Sequence, residues 1–130
     1  MASGPGVNRA KDSLDMWLGG GGVVRLWTVA PAYDGTGGTE SVPTGGAPTA
    51  AFGAAVAGTG GQIAKATTTA PVTFTGAAHA SSSIVALSVH DPVDNSIISI
   101  DRAWTAPGGG WSAGASPQLA SVTVAYVPVS

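Results

Sequence analysis

The sequence predicts an all-β protein, a single antiparallel β-sandwich or jelly-roll-like barrel with one short N-terminal helix. Three observations predict it. Ser81–Ala103 reads as a hairpin, two apolar arms around Asp91-Pro92-Val93-Asp94-Asn95. Short β-branched segments, roughly six to eight of them, recur between Gly, Pro and Asx punctuation along the rest of the chain. Only one stretch, near the N-terminus, has helical periodicity.

Residues 1–7 read as an arm containing Gly4, Pro5 and Gly6. Asn8 suits an N-cap, and Asn8–Leu18 a helix. Ala10, Leu14 and Trp17 fall at i, i+4 and i+7 and form one apolar face. Arg9, Lys11, Asp12 and Asp15 cover the rest. Gly19–Gly22 stop the helix, because consecutive glycines lose too much backbone entropy to continue it. A helix this short is marginal alone in water and must dock on its own sheet or on a neighbouring protomer. The chain thus divides into an arm, helix and glycine break at 1–22 and a β-sandwich domain at 23–130.

Val23–Ala30 is a strand by its β-branched and aromatic content. Arg25 and Trp27 share one face with Val23 and Val29, while Val24, Leu26 and Thr28 share the other. Pro31 ends it. Pro31–Pro48 is a polar loop of a length that is usually exposed and functional. Thr49–Ala57 reads as a strand of small residues anchored by Phe52 and Val56, and Gly58–Gly61 as a turn. Gln62–Ala70 is ambiguous: IAKA suits a helix, and the threonines after it favour extended backbone. Pro71–Thr75 is a short strand.

In the hairpin, Val85, Leu87 and Val89 alternate with Ala86, Ser88 and His90. On the second arm Ile98 and Ile100 alternate with Ser99 and Asp101. A period of two with one wet face is the pattern of a half-buried antiparallel pair. Pro92 removes a backbone donor, and Asx residues tolerate left-handed dihedrals, so the central five residues suit a loop. Trp104–Ser116 is Gly-rich, with a loop at Pro107–Trp111. Leu119–Val129 is the last strand, with Ala120, Val122, Val124 and Tyr126 on one face and Pro128 near its end.

Composition restricts function. Charged residues make up 9% of the chain, against about 25% in ordinary soluble domains. The five basic residues are scattered and the net charge is −2, which argues against nucleic acid as partner. The chain has no cysteine, so disulfides and thiolate metal sites are excluded. No apolar run is long enough to span a membrane. The N-terminus lacks the basic segment and apolar block of a secretory signal. A surface this poor in charge is weakly protected against association. Cover by other chains explains it best; a Ser/Thr-rich secreted or halotolerant monomer is the plainer alternative.

No catalytic, metal-binding or cofactor-binding residue stands out. A hydrolase triad would have to use His79 or His90, with Ser81–Ser83 and Asp91 nearby in sequence, yet no nucleophile elbow occurs. His90 beside Asp91 reads more simply as a strand-end residue. Two histidines without cysteine do not make a zinc site. Asp91, Asp94 and Asn95 lack the oxygen count of a calcium loop and read as an Asx-rich turn. Gly19–Gly22 precede a strand and are followed by no Lys-Ser or Lys-Thr pair, so they are no phosphate cradle. Trp27, Trp104, Trp111 and Tyr33 could form a carbohydrate platform. Trp27, in a strand, reads as core, and Trp104 and Trp111 read as anchors of protein contacts.

The order of segments carries a resemblance. A short helix and glycine break precede a strand that ends in an Ala/Pro/Asp loop at Leu26–Asp34. Phe52-Gly53-Ala54, a small-residue turn, Val72-Thr73-Phe74 and the hairpin with its Asp91-led turn follow in that order. From about Asn8 to the end, the chain resembles small accessory virion proteins of tailed bacteriophages, the tail-fibre-like, minor tail and capsid decoration proteins. It departs from them at Asp91–Asn95, where members more often carry small residues and glycine, and in lacking a strong aromatic motif near the end of Pro31–Pro48. The resemblance implies a structural, non-enzymatic subunit of the virion, assembled in the host cytoplasm. Its partners would be major capsid or tail subunits and copies of itself. The arm and helix would bind the shell or tail, with Leu14 and Trp17 as candidate contacts beside Trp104 and Trp111. The competing expectation is a tail-tip protein that recognises a host surface glycan or receptor through Pro31–Pro48 and Ala106–Ser116. A third is an enzyme acting on cell-wall polymers through His90 or Asp91.

Overall fold

The computed structural model describes residues 6–127. Helix α1 (Val7–Leu18) leads into β1 (Gly22–Val29), β2 (Thr39–Ser41), β3 (Thr49–Ala50), β4 (Val56–Ala57) and β5 (Ala64–Thr67). Then come β6 (Val72–Thr73), a 3₁₀ turn at Ser81–Ser83, β7 (Ala86–His90), β8 (Ile97–Asp101), β9 (Gln118–Leu119) and β10 (Thr123–Tyr126). Every strand pair is antiparallel. The fold is mainly β with one α-helix, as the sequence predicts. The first sheet runs β2-β1-β7-β8 with β3 also on β1, the second β10-β5-β4, the third β6-β9. These sheets are open, and no closed barrel forms among the described residues. Residues 1–5 of the expected arm and Pro128 lie outside the described residues.

Helix α1 starts one residue earlier than expected. Gly6, not Asn8, is its N-cap, and Ala10 N–H donates to the Gly6 carbonyl at 3.0 Å. Gly at the N-cap is only a few tenths of a kcal/mol worse than Asn, so the earlier start is cheap. The buried stripe is Ala10, Leu14 and Leu18. Trp17 sits beside that stripe, 40% exposed, its ring stacked on Tyr126 at 5.8 Å. Leu18 takes its place because the chain turns at once: Gly21 N–H donates to the Leu18 carbonyl, and Leu18 packs beside Gly22 where β1 begins. Gly21 has φ +87, and a Cβ there would lie 2.8 Å from the Ala50 carbonyl oxygen. The glycine break therefore does more than end a helix, since it lets β3 close against the start of β1.

The helix docks on its own second sheet. It packs against β5, β10 and β4, and Asp15 Oδ1 accepts from the Ala55 amide at 2.8 Å. One core cluster takes Leu14 and Leu18 from α1, Val24 and Leu26 from β1, Leu87 and Val89 from β7, and Ala64, Ala66 and Val124 from the second sheet. Two expectations change. A boundary at residue 22 would cut through this core. Leu14, 1% exposed, has no surface to offer a partner.

The hairpin is present, and Asn95 at its turn has φ 61, the left-handed conformation that Asn tolerates. Its faces differ from expectation. All five residues of β7 are buried: Leu87 and Val89 belong to the core, Ser88 and His90 are covered from β1 by Trp27, and β1 pairs along the other edge of the strand, with Val24 opposite Val89 and Leu26 opposite Leu87. The Ser88 and His90 side is therefore not wet. A register shift between Val89 and His90 also places Ser99 opposite Val89, Asp101 opposite Leu87, and Ile100 opposite Ser88. The apolar side of one arm thus meets the polar side of the other.

Two expected strands are broken in the structure. Thr49–Ala57 leaves the first sheet at β3 and joins the second at β4, bridged by Phe52 opposite Thr68. Leu119–Val129 pairs first with β6 and then with β5, crossing between sheets where Val122 N–H donates to Thr68 Oγ1 at 3.0 Å. Ala120, expected on the apolar face, is exposed at this crossing. The ambiguous Gln62–Ala70 resolves as strand β5, and the loop Pro31–Pro48 contains β2.

Leu14→Ala is expected to lower unfolding free energy by about 3 kcal/mol, read by urea denaturation. Removing residues 1–18 is expected to give a chain without a cooperative transition, since the deletion strips one wall of the core.

Candidate functional site

Strand β1 turns Val24 and Leu26 to the core, so Arg25 and Trp27 stand on the opposite face. Ser88 and His90 of β7 pair beside them, Arg25 with Ser88 and Trp27 with Ala86. Glu40 of β2 lies opposite Trp27. Ile97 of β8 lies opposite His90. The chain leaving β1 returns above this face as Tyr33-Asp34-Gly35. The result is a cleft of about 410 Å³ lined by Arg25, Trp27, Glu40, His90 and Ile97 of the strands and by the loop residues Tyr33, Asp34, Gly35, Asn95 and Ser96.

The floor is a chain of buried hydrogen bonds. Trp27 Nε1–H donates to Ser88 Oγ at 2.7 Å. Ser88 Oγ lies 2.7 Å from His90 Nε2, and His90 Nδ1 lies 3.0 Å from the Asn95 carbonyl oxygen. The direction of each bond follows by elimination. A carbonyl only accepts, so Nδ1 carries the proton. In the neutral ring Nε2 then accepts, and the Ser88 hydroxyl donates to it while accepting from Trp27. The Trp27 and His90 rings at the two sides of Ser88 lie 6.3 Å apart at 27°.

The wall is an ion pair. Arg25 Nη1 donates to Glu40 Oε2 at 2.8 Å, and Arg25 Nη2 donates to Asn95 Oδ1 at 3.1 Å. The hairpin turn is thereby tied to β1 and β2. The rim is a small Asx turn in which Asp34 Oδ1 accepts from Thr36 Oγ1 and Thr36 N–H. Those bonds, the side-chain one first, hold the Asp34 carboxyl below its ordinary range, so it is an anion and an acceptor at neutral pH. Tyr33 is 72% exposed, with the Arg102 guanidinium carbon 5.3 Å from its ring centroid.

The residues weighed for catalysis and metal binding are placed otherwise. His90 bonds Ser88 and Asn95, and the Asp91 carboxylate accepts instead from the Val93 amide inside the turn. Asp94 accepts from Ser96 N–H and Oγ, the backbone bond being the larger cause of its lowered pKa. Ser81 exchanges hydrogen bonds with the Trp111 backbone. Ser88 meets a histidine at a nucleophile's distance, but its oxygen lies in a residue 0% exposed and is already held by Trp27. Among the described residues no three His, Asp or Glu side chains converge to hold an ion. No helix among them is long and apolar enough to cross a membrane.

The four candidate contact residues do not converge. Leu14 is core, and Trp17 keeps a free face near Ile97 and Ile98. Trp104 and Trp111 pack on each other at 6.3 Å and against the core, with Trp111 Nε1–H donating to the His79 carbonyl. The loop carrying them is therefore pinned. Sequence reasoning missed the cleft itself. Its signal was two i, i+2 pairs, Arg25/Trp27 and Ser88/His90, each putting polar groups on one face of a strand.

No protein-family model matches the chain, and comparison with curated proteins and with solved structures gives no match.

Ser88→Ala leaves the Trp27 indole N–H and His90 Nε2 without their partner and is expected to cost about 1–3 kcal/mol. In the wild-type protein, ¹⁵N spectra of neutral His90 should show the proton on Nδ1. A proton on Nε2 would reverse the Ser88–His90 bond and contradict that tautomer.

Proposed function

We propose that the chain is a non-enzymatic structural subunit of a bacteriophage virion, an accessory protein of the capsid-decoration or fibre type on the particle exterior. It works in contact with its own copies and with a shell or tail protein. The resemblance in segment order motivates this reading. The observation that carries it is a surface with few charges and an open apolar strand edge. Strand β8 ends the first sheet and pairs only with β7 among the described residues. Its residues Ile97, Ile98 and Ile100 are half-exposed, and it contains neither Lys nor Pro, two of the devices by which natural edges resist pairing.

The occupant that fits this edge is a second copy of β8. An antiparallel edge is complementary to itself about a two-fold axis. Centred on Ser99, such a pairing sets Ile98 against Ile100 of the copy. We read the three sheets as parts of a small β-sandwich, supported by the core that the first and second sheets share.

A second reading, a minor tail protein that recognises a host surface glycan, is favoured by the cleft under Tyr33–Gly35 and by the exposed Tyr33 ring.

Sedimentation of the purified full-length protein is expected to show an oligomer. Ile100→Lys is expected to shift it to monomer with an unchanged circular dichroism spectrum. Copy counting on purified particles separates decoration, with hundreds of copies, from a tail position with far fewer, on the order of a few dozen or less. A wild-type monomer that is absent from particles contradicts the proposal.

A further inference from the structure

The geometry points to the cleft over Trp27 as a binding site for a single neutral pyranose unit. The inference rests on the recognition reading above for the source of the sugar, and on the cleft alone for its chemistry. The volume, about 410 Å³, falls within the roughly 300–1,000 Å³ of small-ligand sites. The walls carry both donors and acceptors with spare capacity. Glu40 uses Oε2 on Arg25, and its Oε1 has no partner among the described residues. Asn95 gives its Oδ1 to Arg25, which leaves the Nδ2 amide protons for a ligand oxygen. Asp34 uses Oδ1 on Thr36, leaving Oδ2. Paired hydroxyls on adjacent ring carbons are the groups that such a mixed set bonds, since each hydroxyl both donates and accepts.

Charge narrows the class further. Among the lining residues Arg25, Glu40 and Asp34 sum to −1, and Arg102 beside the Tyr33 ring brings the surroundings to zero. Arg25 is already paired with Glu40, so the lining holds no unpaired cation for a phosphate or carboxylate ligand. An aromatic face stands beside the polar wall, because Arg102 lies over one side of the Tyr33 ring and the ring remains largely exposed. The C–H side of a sugar ring packs on such a face. The floor is fixed in advance by the Trp27–Ser88–His90 chain, which lowers the ordering cost of binding. The Ser88 hydroxyl itself is buried and is not presented to the cleft.

The test titrates ¹⁵N-labelled full-length protein with a panel of methyl glycosides: glucose, galactose, mannose, rhamnose and N-acetylglucosamine. At least one is expected to shift the Trp27 indole, Asn95 side-chain and Gly35 amide signals together. Glu40→Gln is expected to weaken that binding about tenfold, the loss typical of a hydrogen bond to a charged group. Tyr33→Ala, an exposed position, should weaken it while leaving the Trp27 indole signal of the free protein in place. Absence of shifts with every glycoside, or shifts indifferent to both substitutions, overturns the inference. Sugar binding by a protein found in hundreds of copies on the capsid would retain this site and sink the tail-tip reading. A tail location with no glycoside response would do the reverse.

Discussion

A strand closed on both faces must satisfy every polar atom it carries without water. β7 is that strand. One side presents Leu87 and Val89 to the core. The other presents Ser88 and His90, which are buried and can be accommodated only if each finds a partner. Trp27 supplies one end and the Asn95 carbonyl the other. The hairpin turn is thus bonded to β7 through a side chain and to β1 through Arg25. The cleft follows from this arrangement, because the Trp27 and His90 rings that the hydrogen-bond chain holds in place also line it.

Much of the plan is legible in local pattern. The single helix, the division of β1 into an Arg25/Trp27 face and a Val24/Leu26 face, and the Asx turn at Asp91–Asn95 follow from periodicity and turn chemistry. The rest depends on pairings distant in the chain. Nothing near residue 88 announces that Val23–Trp27 will lie along β7, so Ser88 and His90 read as a solvent face. Trp27 reads as core and is buried, though on the polar side. The small residues of Thr49–Ala57 read as one strand because alternation cannot mark where a chain passes between sheets. The register shift beside His90 inverts the expected match between hairpin arms. Leu14 reads as an outward contact because the stripe of an amphipathic helix looks the same whether its own sheet or a neighbour covers it.

Two surfaces remain distinct in chemistry. The edge of β8 carries three isoleucines with Ser99 and Asp101. The cleft carries an ion pair, an amide and a tyrosine. Ile97 lies at both, lining the cleft while standing on the strand at the sheet's end.

Native-state hydrogen exchange tests most directly the claim that β7, sealed on both sides, anchors the molecule. The amides of Leu87, Val89, Val24 and Leu26 should exchange only through global unfolding, and those of Leu14 and Leu18 should join the same cooperative unit. Exchange of β7 amides by a low-energy local opening, at the rate of the Pro31–Pro48 loop and uncoupled from α1, would contradict the account.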